Sequence, residues 1–495
     1  MGDRPAPVDG RWIVLKFGGT SVSSLERWET IRSVIEQRRR EGLRPLLVCS
    51  ALSQISNQLE ELLAEAEAGT EPSPKLETLR ETHALLAIEM GVDAISALRP
   101  LFDELARTLL GITLTREVTP RLRARVLAQG ELLSTRLGAE WLRSRGVGAV
   151  WQDARDLLQA RPERRTGPGH ERQYLSATCD YDPDPALCRR LDRLQADVVV
   201  TQGFIARAPD GDETVLLGRG GSDTSAAYLA ARLSAARLEI WTDVPGLFTA
   251  NPSRISEARL LRRLDYAEAG ELAARGAKVL HPRCLRPVRE HGIPLHVRCT
   301  CWPELDGTVI ERRSPRVHPG ILGVVARKGL ILVSMDLEGT WQRVGVIAEI
   351  ASCFQRLGLS IDMLASSQTH VTVALDPEAN PLSEPLLEAL LRELEEVCSP
   401  RLERPAAAVS LVGTSIADVL HELGPLLENL EHENVNLLSH AANDLSLTIV
   451  VDQEASDRLV QRLHDKIFGG LPADGDLGPT WAQLRTETAG QAGGA

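Results

Sequence analysis

Two lysines and two glycine turns are the groups in this chain best suited to chemistry. Lys16 stands two residues before Gly18-Gly19, and Lys278 sits within Gly276-Ala-Lys-Val-Leu-His-Pro282. The second turn, Gly218-Arg-Gly-Gly-Ser-Asp-Thr-Ser225, opens a helical pattern that runs to Ala236. A glycine turn at a strand end exposes backbone N–H groups, and a helix N-terminus adds the positive end of its dipole; both suit anions. Two ammonium groups beside two such turns make a clamp for phosphate. Phosphoryl transfer asks mainly for positioning and charge neutralisation, with no covalent nucleophile on the protein. One Gly-Gly turn after a strand is ordinarily only a turn, so the weight lies in the set. Taken singly, Asp223 reads equally as a helix cap and Glu131 as a solvated helix residue. The chain carries neither a Walker sequence nor the glycine loop and Val-Ala-Ile-Lys strand of protein kinases.

The elements that must position these groups follow from pattern. Trp12-Ile-Val-Leu-Lys-Phe17 is short and apolar and predicts a buried strand running into Gly18-Gly19. Ser23 followed by Glu26 is a capping-box signature, and Leu25, Trp28, Ile31 and Ile35 continue at helical spacing. Residues 45–48 predict a second buried strand. Strand, loop, helix, strand is a βαβ unit and implies a parallel sheet. Residues 55–146 predict several helices, and further strands are expected at 149–151, 197–201 and 238–241. After Pro315 the pattern shortens into two blocks with the same order of elements. The first has strands at 331–335, 360–365 and 370–376 with helices at 344–357 and 383–398. The second has strands at 407–412, 435–439 and 444–451 with helices at 416–430 and 455–467. They form a degenerate internal repeat.

Composition bounds the function. At 495 residues the chain predicts several domains. Hydrophobic residues are 43%, charged residues 25% and aromatics 4%, so the cores should be aliphatic. A formal net charge of -12 argues against nucleic acid as a partner. No apolar run is long enough to span a bilayer, and residues 1–10 have no apolar stretch of the signal-peptide kind. Eight scattered cysteines fit reduced thiols and a cytoplasmic protein. His296, Cys299 and Cys301 have metal-like spacing, but with no second cluster they read as side chains in or beside a strand.

The motifs together resemble the aspartate kinase family. They are Val14-Leu-Lys-Phe-Gly-Gly-Thr-Ser-Val22, Val48-Cys-Ser-Ala51, Gly130-Glu131 with Ser134, Thr201-Gln-Gly-Phe204, Leu217-Gly-Arg-Gly-Gly-Ser-Asp223, Thr242-Asp-Val-Pro-Gly246 and Gly276-Ala-Lys-Val-Leu-His-Pro282. They occur in the family's order, and the resemblance covers residues 12–470. It implies an α/β fold: an amino-acid-kinase α/β sandwich with a mainly parallel central sheet over residues 12–315, after a disordered 1–11. Two ferredoxin-like ACT (βαββαβ) domains would follow at 316–400 and 401–471, then a flexible tail at 472–495.

The resemblance also implies roles. Lys16 would stabilise the transferring γ-phosphoryl group, and Asp223 would orient the lysines. Gly18, Gly19, Thr20 and Ser21 would line the same spot. Arg219, with Gly220 and Gly221, would grip the substrate α-carboxylate, and Glu131 would receive the ammonium. Ser50, Ala51, Ser56 and Ser222 would seat aspartate. Thr242, Asp243, Phe248, Arg254 and Lys278 would lie along ATP, with Mg²⁺ arriving on the nucleotide and no dedicated protein cage. The β-carboxylate is already ionised at pH 7, so no general base is needed. Met335, Gly345, Val346, Ile347, Ser360, Ile361, Asp362, Ser367 and Gln368 match the stretch where an effector, lysine and/or threonine, would bind. The ACT pair would assemble a homodimer or higher homo-oligomer.

Four positions depart from the family pattern. Gln54 replaces glycine, Phe248 replaces tyrosine, Arg254 falls one residue late in Asn251-Pro-Ser-Arg, and Gln368 replaces glutamate. The departures at Gln54 and in Asn251-Pro-Ser-Arg keep one rival reading open, a catalytically weak amino-acid sensor; a second, a related kinase acting on another acidic amino acid, has the order of motifs and the ACT pair against it. Gly339-Thr-Trp-Gln-Arg-Val-Gly345 and the Leu411–His464 block look most like kinases fused to diaminopimelate decarboxylase. With 495 residues, no decarboxylase barrel is expected.

Overall fold

The computed structural model describes residues 12–71, 73–93, 95–162, 169–313, 320–337, 344–380, 382–419, 433–471 and 475–492. The expected disordered start at 1–11, most of Gly339–Gly345 and most of the helix at 416–430 lie outside these residues. The chain divides into two compact units. One holds residues 1–247, 262–266 and 279–313, the other 248–261, 267–278 and 314–495. The boundary expected at 315 therefore misses two short segments that cluster with the second unit.

The first unit is built on an eight-stranded sheet. Its strands are β1 (Trp12–Phe17), β2 (Arg44–Cys49), β3 (Ala149–Trp151), β4 (Val198–Gln202), β7 (Arg237–Thr242), β9 (Arg263–Leu264), β10 (Leu295–Cys299) and β11 (Thr308–Ile310), in the order β3-β4-β2-β1-β7-β10-β11-β9. A separate hairpin pairs β5 (Ile205–Arg207) with β6 (Thr214–Leu216). From β3 to β10 every neighbouring pair is parallel, as the βαβ reading predicts. The pairing β10–β11 is antiparallel. β1 and β2 are buried almost throughout, as parallel strands covered on both faces must be. Phe17 pairs with Cys49 and with Trp241, and Cys49 with Gln202. Four strands thus end level, and the loops after them open on one edge. The chain leaves β1 towards β2 and β4 on one side and returns to β7 and β10 on the other. A ligand crevice belongs at the carboxyl ends of strands around such a switch.

The first helix, Leu25–Arg40, is capped by Ser24, whose hydroxyl accepts from the Arg27 N–H at 3.4 Å. The capping box predicted at Ser23 is therefore one residue early. Ser23 instead joins two loops. Its hydroxyl donates to Gly19 O at 2.6 Å and accepts from Ser53 N–H at 2.8 Å, tying the loop after β1 to the loop after β2. Trp28, fully buried, donates its indole N–H to Val22 O and so closes the glycine loop from beneath.

In the second unit, β12 (Gly320–Asp336), β13 (Met363–Ser366), β14 (His370–Leu375), β15 (Ser399–Thr414), β16 (Val435–His440) and β17 (Ser446–Asp452) form one antiparallel sheet, in the order β13-β14-β12-β15-β17-β16. β12 and β15 run beside each other from Gly320↔Thr414 to Asp336↔Ser399. Their halves serve different modules. The end of β12 pairs with β14, while the later part of β15 pairs with β17. The first module has the strand order β13-β14-β12-β15. The second has β16-β17-β15-β12, its last strand supplied by Gly320–Lys328, ahead of the first module in the chain. Both modules follow the ferredoxin-like strand order, but the expected clean boundary at 400/401 is replaced by two shared strands. β8 (Arg259–Leu261) pairs with β18 (Leu477–Thr480), and the helix Trp481–Ala492 follows. The tail expected to be flexible from 472 is thus a strand and a helix over 477–492. Among the described residues, no helix is long and apolar enough to cross a membrane.

Candidate active site

The level strand ends carry the predicted residues. Lys16, near the end of β1, is 9% exposed. Its Nζ lies 2.6 Å from Oδ1 of Asp223, which occupies the first turn of the helix Gly221–Arg232. A carboxylate there also meets the positive end of the helix dipole. Gly220 caps that helix at φ 64, and a Cβ on it would lie 2.2 Å from His281 Cβ. Glycine is required there on both counts. A Cβ on Gly19 would come within 2.9 Å of Ala51 O, so the two loops touch backbone to backbone.

A cavity of about 790 Å³ opens here. Lys16, Gly19, Ser50, Ala51, Ser56, Glu131, Arg219, Gly220, Gly221, Ser222 and Asp223 all line it, which gathers most of the predicted substrate set from four distant stretches. Leu127, Leu175, Phe204 and Leu216 supply an apolar wall. Gly18, Thr20 and Ser21 are not among the lining residues. Ser21 is buried, and its hydroxyl bonds that of Thr300 at 2.7 Å, so it holds the loop to the strand end.

Glu131 is strongly altered by its surroundings. It is 3% exposed; Oε1 accepts from the Ala51 N–H at 3.3 Å, while Oε2 has no hydrogen-bond partner. Burial pushes its carboxyl up to about 8, although the Ala51 amide pulls the other way. The helix Gln129–Ser144 that carries it is buried along most of its length. The solvated-helix reading of Glu131 is therefore excluded.

Gln54 lines the cavity and starts the helix Ile55–Glu67 at φ 68. Its side-chain carbonyl accepts from Asn57 Nδ2 at 2.8 Å. A left-handed backbone explains why glycine suits this position. Arg123 and Glu60 also line the cavity and pair at 3.0 Å. No sequence signal marked them, because each is an ordinary charged residue on an amphipathic helix until the fold turns it inward.

Of the residues expected along the nucleotide, Thr242 ends β7 and Asp243 follows it, the Thr242 hydroxyl donating to Asp243 Oδ1 at 3.1 Å. Phe248, Arg254 and Lys278 belong to the second unit. The Phe248 ring, expected to lie along ATP, is 4% exposed and meets Trp481 edge-on at 5.7 Å. It is a buried anchor. Arg254 is exposed at the end of the turn Asn251–Arg254, where Asn251 O accepts its N–H at 3.0 Å. Lys278 Nζ pairs with Glu378 at 2.8 Å.

In the effector stretch, Met335 is fully buried in the core of the first module. Gly345, at φ 97, caps the helix Val346–Arg356, with Val346 buried and Ile347 half-exposed. The Ser360 N–H donates to Asn380 Oδ1, Asp362 pairs with Arg327, and Ser367 binds the His370 N–H. Ile361 is partly buried, and Gln368 is exposed beyond the end of β13. His296 and Cys299 point to opposite faces of β10, which separates the metal-like group; among the described residues no three His, Cys, Asp or Glu side chains gather as metal ligands.

The chain is similar to known proteins in sequence and in fold. The model of the amino acid kinase family matches residues 11–299. The chain is 30% identical over 464 residues to Lysine-sensitive aspartokinase 3 of Escherichia coli, covering 92% of this chain and 99% of that one. It is 30% identical over 490 residues to Aspartokinase 1, chloroplastic, of Arabidopsis thaliana, covering 95% of this chain and 82% of the relative. A crystal structure of E. coli aspartokinase III in complex with aspartate and ADP superposes with a TM-score of 0.78 at 30% identity, over 92% of this chain and 99% of that one.

Proposed function

This chain belongs to the aspartokinase family of amino acid kinases, and on that premise we propose how its residues divide the work. It is an ATP-dependent aspartate kinase. It moves the γ-phosphoryl group of ATP to the β-carboxylate of L-aspartate, giving 4-phospho-L-aspartate and ADP. The observation that carries the substrate is Glu131. A buried carboxylate with one unpartnered oxygen, in the same cavity as the Arg219 guanidinium, suits an α-amino acid: ammonium to Glu131, α-carboxylate to Arg219. The side-chain carboxylate is then left towards Lys16.

Lys16 neutralises charge on the phosphoryl group in flight, and Asp223 holds the ammonium in place. The β-carboxylate is ionised at neutral pH and attacks without a base. The substrate is MgATP, whose metal rides on the phosphates. Thr242, Asp243 and Arg254 take the nucleotide, with Lys278 once it leaves Glu378. Lysine and/or threonine is the effector of the ACT modules; the E. coli relative is named lysine-sensitive, which supports lysine. Edge strands β13 and β16, with Leu364 42% and Leu438 53% exposed, support assembly of a homodimer through the ACT sheets. Eight free cysteines support a reducing compartment, the cytoplasm.

Aspartate-dependent ADP release with Mg²⁺ and ATP tests the reading, repeated with glutamate and with lysine or threonine added. Turnover with aspartate and none with glutamate is expected. Equal turnover with glutamate would reassign the substrate, and no turnover with aspartate would leave the sensor reading.

A further inference from the structure

The C-terminal strand and helix do more than end the chain. The segment Phe248–Leu261, which carries Arg254, forms a reversed loop: Phe248 bridges Leu260, and the Thr249 N–H donates to Arg259 O at 2.9 Å. The C-terminal stretch grips this loop along its return arm. β18 pairs with β8, Leu477 opposite Leu261 and Thr480 opposite Arg259. The Trp481 N–H donates to Ala258 O at 2.9 Å, and the Ala482 N–H to Ser256 O at 3.0 Å. The Arg259 guanidinium donates to Leu471 O at 2.6 Å and to Gly478 O at 3.2 Å. Over the start of the loop, the Trp481 ring covers Phe248 edge to face at an interplanar angle of 88°.

We infer that the strand–helix segment Leu477–Ala492 is a positioning element for the nucleotide, with Trp481 acting through Phe248 on the turn that carries Arg254. The inference rests on the reading of the turn that carries Arg254 as nucleotide-binding. A loop already fixed in its bound shape loses little freedom when ligand arrives; one released from its clamp must be ordered by the ligand, at the expense of affinity. Aspartate sits against other elements, so its binding is not coupled to the clamp.

In the full-length protein, Trp481→Ala is expected to raise the KM for ATP and the Kd for ADP by about five- to tenfold while leaving the KM for aspartate unchanged. Trp481→Phe keeps an aromatic edge on Phe248 and restores both. Arg259→Ala, which removes two tethers and leaves the aromatic pair, gives an independent rise of the same kind. Wild-type ADP affinity in both Trp481→Ala and Arg259→Ala overturns the inference. So does a loss of affinity for both substrates alike that Trp481→Phe does not repair. A wild-type protein that binds ADP but releases none from ATP with aspartate refutes the proposed function, and the ADP titrations still decide the role of Trp481. A wild-type protein that binds no ADP overturns both.

Discussion

Lys16 Nζ and Asp223 Oδ1 meet 2.6 Å apart, with both side chains close to nine-tenths buried. The pair joins the end of a central strand to the first turn of a helix more than two hundred residues away. It fixes a long, flexible side chain on the cavity wall, where the proposed mechanism puts the transferring phosphoryl group. Asp223→Asn keeps the shape and removes the anchor. It is expected to lower kcat by about 10²- to 10³-fold with little change in the KM for aspartate, as steady-state kinetics would read. Lys16→Ala should lower kcat further still; full activity in Lys16→Ala would remove Lys16 from the mechanism.

If Glu131 receives the substrate ammonium as proposed, aspartate binding should release a proton. Its carboxyl ordinarily titrates near 4.5 but is held up to about 8 by burial, so at pH 7 the free site is mostly protonated. An arriving ammonium ionises it. Calorimetry in buffers of different ionisation enthalpy should read close to one proton released per aspartate at pH 7, falling to none above pH 9, and none at any pH in Glu131→Gln.

The same group sets a stability trend. Between about pH 4.5 and 8 the unfolded chain loses this proton while the folded chain keeps it. The free protein therefore loses stability as pH rises through that window. Saturating aspartate should flatten the slope, and Glu131→Gln should abolish this contribution. Melting temperatures across the window check the sign.

Gln54 holds a left-handed backbone at φ 68 on the cavity wall. Glycine would relieve the steric cost, about 1 kcal/mol, and add a similar entropic one, so Gln54→Gly should leave stability within about 0.5 kcal/mol. It should lower the KM for aspartate a few-fold by widening the cavity. An unchanged KM would show that Gln54 does not limit access.

Arg38 and Glu239, 2% and 0% exposed, pair at 2.9 Å; Glu41 and Arg237 complete the cluster around them. Removing Arg38 takes from the buried Glu239 one of its two guanidinium partners and leaves Arg237, with the Trp241 indole N–H, to hold it. Arg38→Ala is expected to destabilise the first unit by about 3–5 kcal/mol, seen as a lowered first transition in calorimetry. The kinetics of the surviving folded protein at low temperature should be unaltered.

The sequence by itself determined the parallel core and most of the cavity. An apolar run as short as Trp12–Phe17, broken only by Lys16 and leading into a glycine turn, reads as a covered strand with a loop at its end. Lys16 and the two glycine turns were legible from local pattern, whereas Glu131 and Arg219 were legible only through the resemblance to aspartate kinases. Tertiary structure decided what local pattern does not carry. It moved the helix cap to Ser24 and gave Ser23 to the contact between loops, although only Ser23 has Glu three residues on, because the Ser23 hydroxyl is taken up by Gly19 O and the Ser53 N–H. It turned Arg123 and Glu60 into the cavity and the Phe248 ring towards Trp481, because which face of an element is covered depends on what packs there. It divided β12 and β15 between two modules and paired β18 with β8, because strand partners distant in sequence are chosen by the sheet as a whole and leave no mark in either strand alone.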